Sequence, residues 1–293
     1  MSERTARLVG YAMVALAAAQ WGTWPLVLHA ADEVRPTPAI LQSTIVLAVV
    51  GLASAPLVLR DRIAKRASLA QWAGVAWLGV GDALNATLFF RAYAVTSVGI
   101  AVTTHFLAPI FVAVGSPLLL RERPVPRTWL AVAVAFGGLV LLVRPWGAGF
   151  GAQDALGAAL GAGSAVFYAS NVIANKRLVG AFSGAELVCY HAFFAVLALA
   201  PFVPPHAWGE VHPKALAILV LGALGPGTFA GLLFAWALRR IPASHATILT
   251  LLEPLVAFAV GVLVMHQPVT ALSVVGGALI LAAAAIVMTI KRV

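Results

Sequence analysis

Ten apolar runs, most of them about 20 residues long, account for nearly all of this chain. An α-helix needs about 20 such residues to cross the roughly 30 Å hydrocarbon core of a bilayer. Charged residues make up only 10% of the 293 positions, which is too few to cover a soluble protein of this size with polar surface. The sequence therefore predicts an all-α polytopic membrane protein with ten transmembrane helices. We place these helices at 8–28, 38–59, 69–91, 97–120, 127–144, 154–175, 184–201, 214–238, 243–265 and 270–290.

The basic residues predict the orientation of these spans. With the N-terminus inside, 15 of the 19 Lys and Arg residues fall on the cytoplasmic side and 4 on the outer side. Short basic loops stay cytoplasmic, so both termini are predicted to be cytoplasmic, and the net charge of +9 gives no reason to expect a nucleic-acid partner. The cytoplasmic set is Arg4, Arg7, Arg60, Arg62, Lys65, Arg66, Arg121, Arg123, Arg127, Lys176, Arg177, Arg239, Arg240, Lys291 and Arg292.

The chain contains an internal repeat of about half its length. TTHFLAPIFVAVGSPLLLRERPV (103–125) resembles ILTLLEPLVAFAVGVLVMHQPV (248–269), which pairs Pro109 with Pro254. The two predicted units are 1–146 and 147–293, each with five spans, together forming one transporter domain. Because five is odd, the second unit must enter the membrane from the opposite side, which predicts two inverted-topology five-helix repeats. The loop RERPVPR in the first unit corresponds to MHQPV in the second, which contains no Lys or Arg. This alignment sets Glu122 against His266.

Inverted repeats of this kind suit alternating access around a site near the membrane midplane. The sequence has no Walker A, HExxH or paired CxxC pattern, and its single cysteine, Cys189, allows no internal disulfide. We therefore expect a secondary transporter with no enzymatic activity, no catalytic residues, no metal and no cofactor.

Several short motifs carry a resemblance to a known family. These are QWG at 20–22, the repeated prolines Pro109 and Pro254, and RERP at 121–124. With two five-helix units in 293 residues, the chain resembles the EamA-type drug/metabolite transporter superfamily, and within it most closely the YddG-type aromatic amino-acid exporters. The resemblance implies a ten-helix fold with cytoplasmic termini and a central cavity lined by spans 1, 3, 4, 6, 8 and 9.

Polar residues inside spans are costly and usually face such a cavity. This gives a set of candidate substrate-binding residues: Gln20, Trp21, Trp24, Asp82, Asn85, His105, Ser164, Tyr168, Asn171, Thr250 and Glu253. Each has a structural alternative: the tryptophans as packing residues, His105 as a hydrogen-bonded packing histidine, and Thr250 as a donor to its own helix. Asp82 and Glu253 have three alternative interpretations. They carry protons, they bind a substrate ammonium group, or they are buried acceptors of a hydrogen bond from the backbone. Pro109 and Pro254 are the hinge candidates.

The expected function is export of small amphipathic metabolites, foremost neutral or aromatic amino acids, across the bacterial inner membrane. The alternatives are multidrug efflux of aromatic cations and a polytopic membrane enzyme. The expected partners are a small-molecule substrate and the lipid bilayer, with no obligate protein partner. The sequence leaves open whether protons drive transport, as opposed to facilitated diffusion.

Overall fold

The computed structural model describes residues 2–60, 67–146 and 151–290, and all regular structure in these ranges is helical. The first unit contains α1 (Glu3–Trp21), α2 (Trp24–Val34), α3 (Ala39–Arg60), α4 (Leu69–Val95), α5 (Val98–His105), α6 (Ala108–Leu119) and α7 (Pro126–Val143). The second contains α8 (Ala152–Leu178), α9 (Gly184–Leu199), α10 (Pro205–Gly209), α11 (Pro213–Gly222), α12 (Ala230–Leu238), α13 (Ala243–Leu249), α14 (Leu252–Met265) and α15 (Ala271–Thr289). A 3-10 turn (Ala200–Phe202) follows α9, and a π-helical segment (Ala223–Phe229) joins α11 to α12.

Nine segments within the described ranges are long and apolar enough to cross a membrane, and they coincide with the second to tenth predicted spans. The prediction of a multi-span, all-helical membrane protein is confirmed. The first predicted span, 8–28, is divided between α1 and α2 by a break at Gly22 and Thr23, and its crossing of the membrane stays a prediction. Of the predicted cytoplasmic charges, Arg62, Lys65, Arg66, Lys291 and Arg292 lie outside the described residues.

Both hinge candidates follow an interruption in a span. α5 ends at His105 and α6 begins at Ala108, with Pro109 in its first turn. α13 ends at Leu249 and α14 begins at Leu252, with Pro254 in its first turn. Proline has no N–H to donate and its ring crowds the preceding turn, so the helix breaks ahead of it. The breaks are a feature of the structure, whereas hinge motion at them stays a prediction.

Two of the uninterrupted spans are longer than the others. α4 and α8 have 27 residues each, the longest helices in the described chain. Ser68 and Gln71 form a capping box at the start of α4, and Asp154 accepts from the Gly151 N–H at the start of α8. These caps satisfy backbone N–H groups that the first helical turn leaves without partners.

The main helix contacts between the two units occur in equivalent pairs: a contact of one helix with the other unit recurs between the two corresponding helices. α4 packs along α8, and the corresponding spans also pack together, α1 against α12 and α2 against α11. α5 and α6 contact α8, just as α13 and α14 contact α1. α3 packs on its counterpart α9, and α7 on its counterpart α15. At this last crossing a Cβ added to Gly138 would lie 2.7 Å from the Gly276 carbonyl oxygen, so the two backbones touch.

The ends of α6 and α14 correct one detail of the repeat alignment. Arg121 and His266 both adopt left-handed backbone conformations, with φ of 58° and 54°. The next residue in each copy, Glu122 or Gln267, donates its N–H to a carbonyl six residues back. Arg121 therefore corresponds to His266, and the pairing of Glu122 with His266 was wrong by one residue. The sequence alone could not detect this, because Pro124 and Pro268 are one residue out of step with Pro109 and Pro254.

Candidate functional site

Glu253 lies at the break between α13 and α14. It is the second residue of α14, and its backbone N–H donates to the Thr250 carbonyl across the break at 2.9 Å. The residue is half-buried, and within the described ranges its carboxyl group forms no ion pair. A carboxyl group at such a depth is costly unless water, a proton or a cationic ligand reaches it. The position therefore suits contact with a substrate or a proton.

Asp82 occupies the middle of α4, with its side chain about one-third exposed (34%). Its Oδ2 lies 3.9 Å from Nε2 of His191 on α9, and the Asn85 side chain one turn further along also interacts with it. His191 Nδ1 lies 2.8 Å from the Leu187 carbonyl oxygen, so Nδ1 carries the ring hydrogen when the ring is neutral. Asp82 and His191 thus form an ion pair only when the ring is protonated. The sequence analysis did not identify His191 as the neighbour of Asp82.

Tyr168 of α8 lies near both carboxyl groups. Its hydroxyl is within electrostatic reach of both Glu253 and Asp82 and interacts with the Thr250 side chain. Tyr93 of α4 is also within electrostatic reach of Glu253. Three separate stretches of the chain, namely α4, α8 and the α13–α14 break, thus contribute to one polar cluster.

Aromatic rings form one wall beside these groups. The ring centroids of Phe89 and His105 are 4.2 Å apart, those of Phe89 and Tyr93 are 4.7 Å apart, and those of His105 and Tyr168 are 5.6 Å apart. His105 is buried, and its Nδ1 lies 2.7 Å from the Ser164 hydroxyl. The structure therefore brings His105 and Ser164 together as a hydrogen-bonded pair that holds the ring in place.

Three carboxamides lie on or beside the interface of α4 and α8. The Oδ1 atoms of Asn85, Asn171 and Asn175 are buried and have no hydrogen-bond partner in the part of the chain that the structure describes. Asn171 packs against Gly81, whose lack of a side chain leaves room for the amide. Buried polar groups are nearly always paired, so these three acceptors can bind a polar ligand or water. Asn175 was missed by the sequence analysis, although it lies four residues after Asn171 on the same helical face.

The residues around the break in the first span have a different environment. Gly22 lies against α14, where an added Cβ would be 2.6 Å from the Glu253 carbonyl oxygen. The Gln20 side chain faces the π-helical segment, with its Oε1 3.6 Å from the Cβ position of Gly225. Trp21 packs on Phe234 of α12, with centroids 5.3 Å apart, and the Trp24 ring packs against Gly222 of α11. These contacts favour the packing interpretation of both tryptophans.

We use "central cluster" for the eight predicted residues that the structure brings together around Tyr168 and His105. They are Asp82, Asn85, His105, Ser164, Tyr168, Asn171, Thr250 and Glu253. Apart from His105, none of them is basic. The Thr250 hydroxyl also donates to the Thr247 carbonyl at 2.8 Å, which is the hydrogen bond to its own helix given above as the structural alternative.

A second polar group, which we call the clamp, consists of Glu122 and Lys176. Lys176 Nζ donates to the carbonyl oxygens of Leu238 (2.5 Å) and Ile241 (2.7 Å), and lies 3.3 Å from Glu122 Oε1. Glu122 Oε2 accepts from the Ala243 N–H at 2.8 Å. The clamp thus ties the end of α8 and the loop after α6 to the α12–α13 turn. No sequence pattern links Glu122 to Lys176, because 54 residues separate them along the chain.

The chain is similar to a known transporter family, to two transporters and to one solved structure. Residues 8–144 and 155–289 match the EamA-like transporter family. An uncharacterised transporter of Archaeoglobus fulgidus is 28% identical over 205 residues, covering 70% of this chain and 72% of that protein. The threonine/homoserine exporter RhtA of Escherichia coli (strain K12) is 28% identical over 212 residues, covering 70% and 68% respectively. A crystal structure with 21% identity has the same fold, with a TM-score of 0.80 over 97% of this chain and 96% of that one.

Proposed function

This chain belongs to the EamA-like transporter family, and from that premise we propose that it exports small neutral amino acids by alternating access. The resemblance to the EamA family is confirmed. Export of aromatic amino acids, as in the YddG-type exporters, is the more specific form of this proposal. Relatives named as threonine/homoserine exporters support an amino-acid substrate. The family and these relatives are transporters, which also argues against the membrane-enzyme alternative.

The single observation that carries the proposal is the composition of the central cluster. Glu253 and Asp82 both lie within electrostatic reach of Tyr168, and both residues are partly exposed. A substrate ammonium group would interact with Glu253, because a cation offsets the cost of a carboxylate at this depth. The unpaired Oδ1 atoms of Asn85 and Asn171 would accept hydrogen bonds from the substrate ammonium group. The rings of Phe89 and His105 would contact the side chain, which suits an apolar or aromatic one.

The same cluster supports a second candidate function. A carboxyl group beside aromatic rings is also a binding arrangement for lipophilic cations. Multidrug efflux of aromatic cations is therefore the rival that any substrate experiment must include. Phosphorylated substrates are disfavoured, since the central cluster contains no Arg or Lys to bind a phosphate group.

We expect purified protein reconstituted into vesicles to catalyse counterflow of labelled threonine or phenylalanine. The ratio of the two rates would show whether the aromatic wall favours an aromatic substrate. Tetraphenylphosphonium and a sugar phosphate serve as competing substrates, and protein-free vesicles as the control. Movement of tetraphenylphosphonium alone would favour the efflux alternative, and movement of the sugar phosphate alone would contradict both.

We also propose the architecture that this mechanism requires. Ten spans form two inverted units, 1–146 and 147–293, in the cell membrane, with both termini in the cytoplasm. The paired helix contacts support this arrangement, since the most extensive contacts between units recur with the units exchanged. The charges support it too, because Arg121, Arg123 and Arg127 follow α6, whereas the matching loop after α14 has no Lys or Arg.

Thiol labelling tests the inversion directly. In a Cys189→Ala background, we expect Arg123→Cys to react with a membrane-impermeant maleimide only from the cytoplasmic side. Gln267→Cys, an exposed position in the matching loop, should react only from outside. The two variants control for each other because they occupy corresponding loops. Labelling of both from one side would refute the inverted arrangement.

A further inference from the structure

A cavity of about 580 Å³ lies apart from the central cluster, at the end of the bundle that carries the clamp. Four arginines from three separate segments line it: Arg7 of α1, Arg121 and Arg123 of the loop after α6, and Arg240 of the α12–α13 turn. Thr128 at the start of α7 and Ile290, the residue that follows α15, complete the walls. None of the residues that line the cavity belongs to the central cluster, so the cavity is a separate site.

The positive charge in this cavity is not balanced by its lining. Glu122 is its one acidic lining residue among those the structure describes, and this carboxylate is already engaged by Lys176 and the Ala243 N–H. Arg7 donates to the Ile290 carbonyl and Arg240 to the Trp236 carbonyl, neither of which carries a formal charge. Within the described ranges, none of the four guanidinium groups forms an ion pair. Their mutual repulsion would be relieved by an anion.

The chemistry and position of the lining indicate which anion. Guanidinium groups bind phosphate through paired N–H donors, and the Thr128 and Ser244 hydroxyls in the wall could add further hydrogen bonds. Trp129, next to Thr128, is 41% exposed at the first turn of α7, and Met288 near Ile290 is 45% exposed. Exposed apolar side chains beside a basic cavity, at the end of membrane-spanning helices, are typical of a lipid headgroup site.

We propose that this cavity binds a phosphate-bearing anion, either the headgroup of an anionic phospholipid or a soluble phosphate. The occupant would contact the loop after α6 and the α12–α13 turn together, because Arg123 and Arg240 lie on these two segments. It would therefore reinforce the contact that the clamp makes between the same segments. This inference does not depend on the identity of the transported substrate.

Thermal unfolding of the full-length protein tests the proposal in two arms. One arm titrates inorganic phosphate in detergent at constant ionic strength, with chloride as the reference. The other compares nanodiscs of phosphatidylglycerol with nanodiscs of phosphatidylcholine. We expect a concentration-dependent rise in Tm in at least one arm, since a ligand that binds only the folded state stabilises it. A rise with phosphate identifies a soluble anion, and a rise with phosphatidylglycerol alone identifies the lipid.

The cavity variant is the double substitution Arg121→Asn and Arg123→Gln, in which Asn tolerates the left-handed backbone at position 121. Its matched control is Arg4→Gln with Arg177→Gln, which removes two exposed arginines that do not line the cavity. We expect binding to weaken by about tenfold or more in the cavity variant and by less than about twofold in the control. If the double variant does not fold, Arg123→Gln alone replaces it. Absence of a Tm rise in both arms, or an equal loss in the control, would overturn the proposal.

Discussion

Glu253→Gln is expected to reduce substrate counterflow by at least about tenfold, because it removes the charge proposed to bind the substrate ammonium group. A hydrogen bond to a charged group contributes about 1.5–3 kcal/mol, and each 1.4 kcal/mol corresponds to roughly a factor of ten in an equilibrium constant. Gln keeps the size and the acceptor oxygen of the side chain, so the break between α13 and α14 should persist. Counterflow of the labelled substrate in vesicles, at equal pH on both sides, measures the change.

The matched control is Glu210→Gln. Glu210 is an exposed carboxylate that lies 3.5 Å from Arg35 and is remote in sequence from the central cluster. Its loss changes the net charge by the same amount and should leave counterflow within about twofold of the original, since exposed ion pairs contribute little. If Glu253→Gln retained full counterflow but no longer responded to a pH gradient, Glu253 would be a proton carrier and the proposed ammonium contact would be wrong.

Lys176→Met is expected to lower thermal stability more than any other single substitution considered in this chain. The Lys176 and Glu122 side chains are 14% and 20% exposed, so removing the ammonium group leaves a mostly buried carboxylate without its cation. Loss of one member of such a pair costs about 3–5 kcal/mol. It also leaves the Leu238 and Ile241 carbonyls without a donor. Unfolding of the purified protein, followed by tryptophan fluorescence, measures the loss.

The adjacent residue supplies the control for this prediction. Arg177 is exposed, and Arg177→Met should change the free energy of unfolding by less than about 1 kcal/mol. The charge-swapped variant, Lys176→Glu with Glu122→Lys, should not recover the stability. A glutamate at 176 cannot donate to two carbonyls, and a lysine at 122 cannot accept the Ala243 N–H. Recovery in the swapped variant would mean that charge pairing alone accounts for the clamp.

The features that the sequence predicted are those encoded by local pattern. Apolar run length located nine spans, and the repeated prolines marked the breaks before Pro109 and Pro254. The cost of polar groups in lipid identified Asp82, Glu253 and Tyr168, which the structure brings into one region. Each of these signals lies within a few residues of the feature that it predicts.

The features that the sequence did not predict depend on contacts between distant segments. No local pattern places Lys176 beside the carbonyls of Leu238 and Ile241, or collects Arg7 and Arg240 around one cavity. The tryptophans of the first span could not be assigned either, because packing and cavity positions share the same helical spacing. The contact of Trp21 with Phe234 favours packing.

The uninterrupted length of α8 has a mechanical consequence. Tyr168 and Asn171 belong to the central cluster, while Lys176 on the same helix belongs to the clamp. At 1.5 Å per residue, the eight residues from Tyr168 to Lys176 span roughly 12 Å of continuous helix. With no break to absorb bending, a tilt imposed by a substrate at Tyr168 would displace Lys176 as well. α8 would then act as a lever that transmits movement at Tyr168 to the clamp.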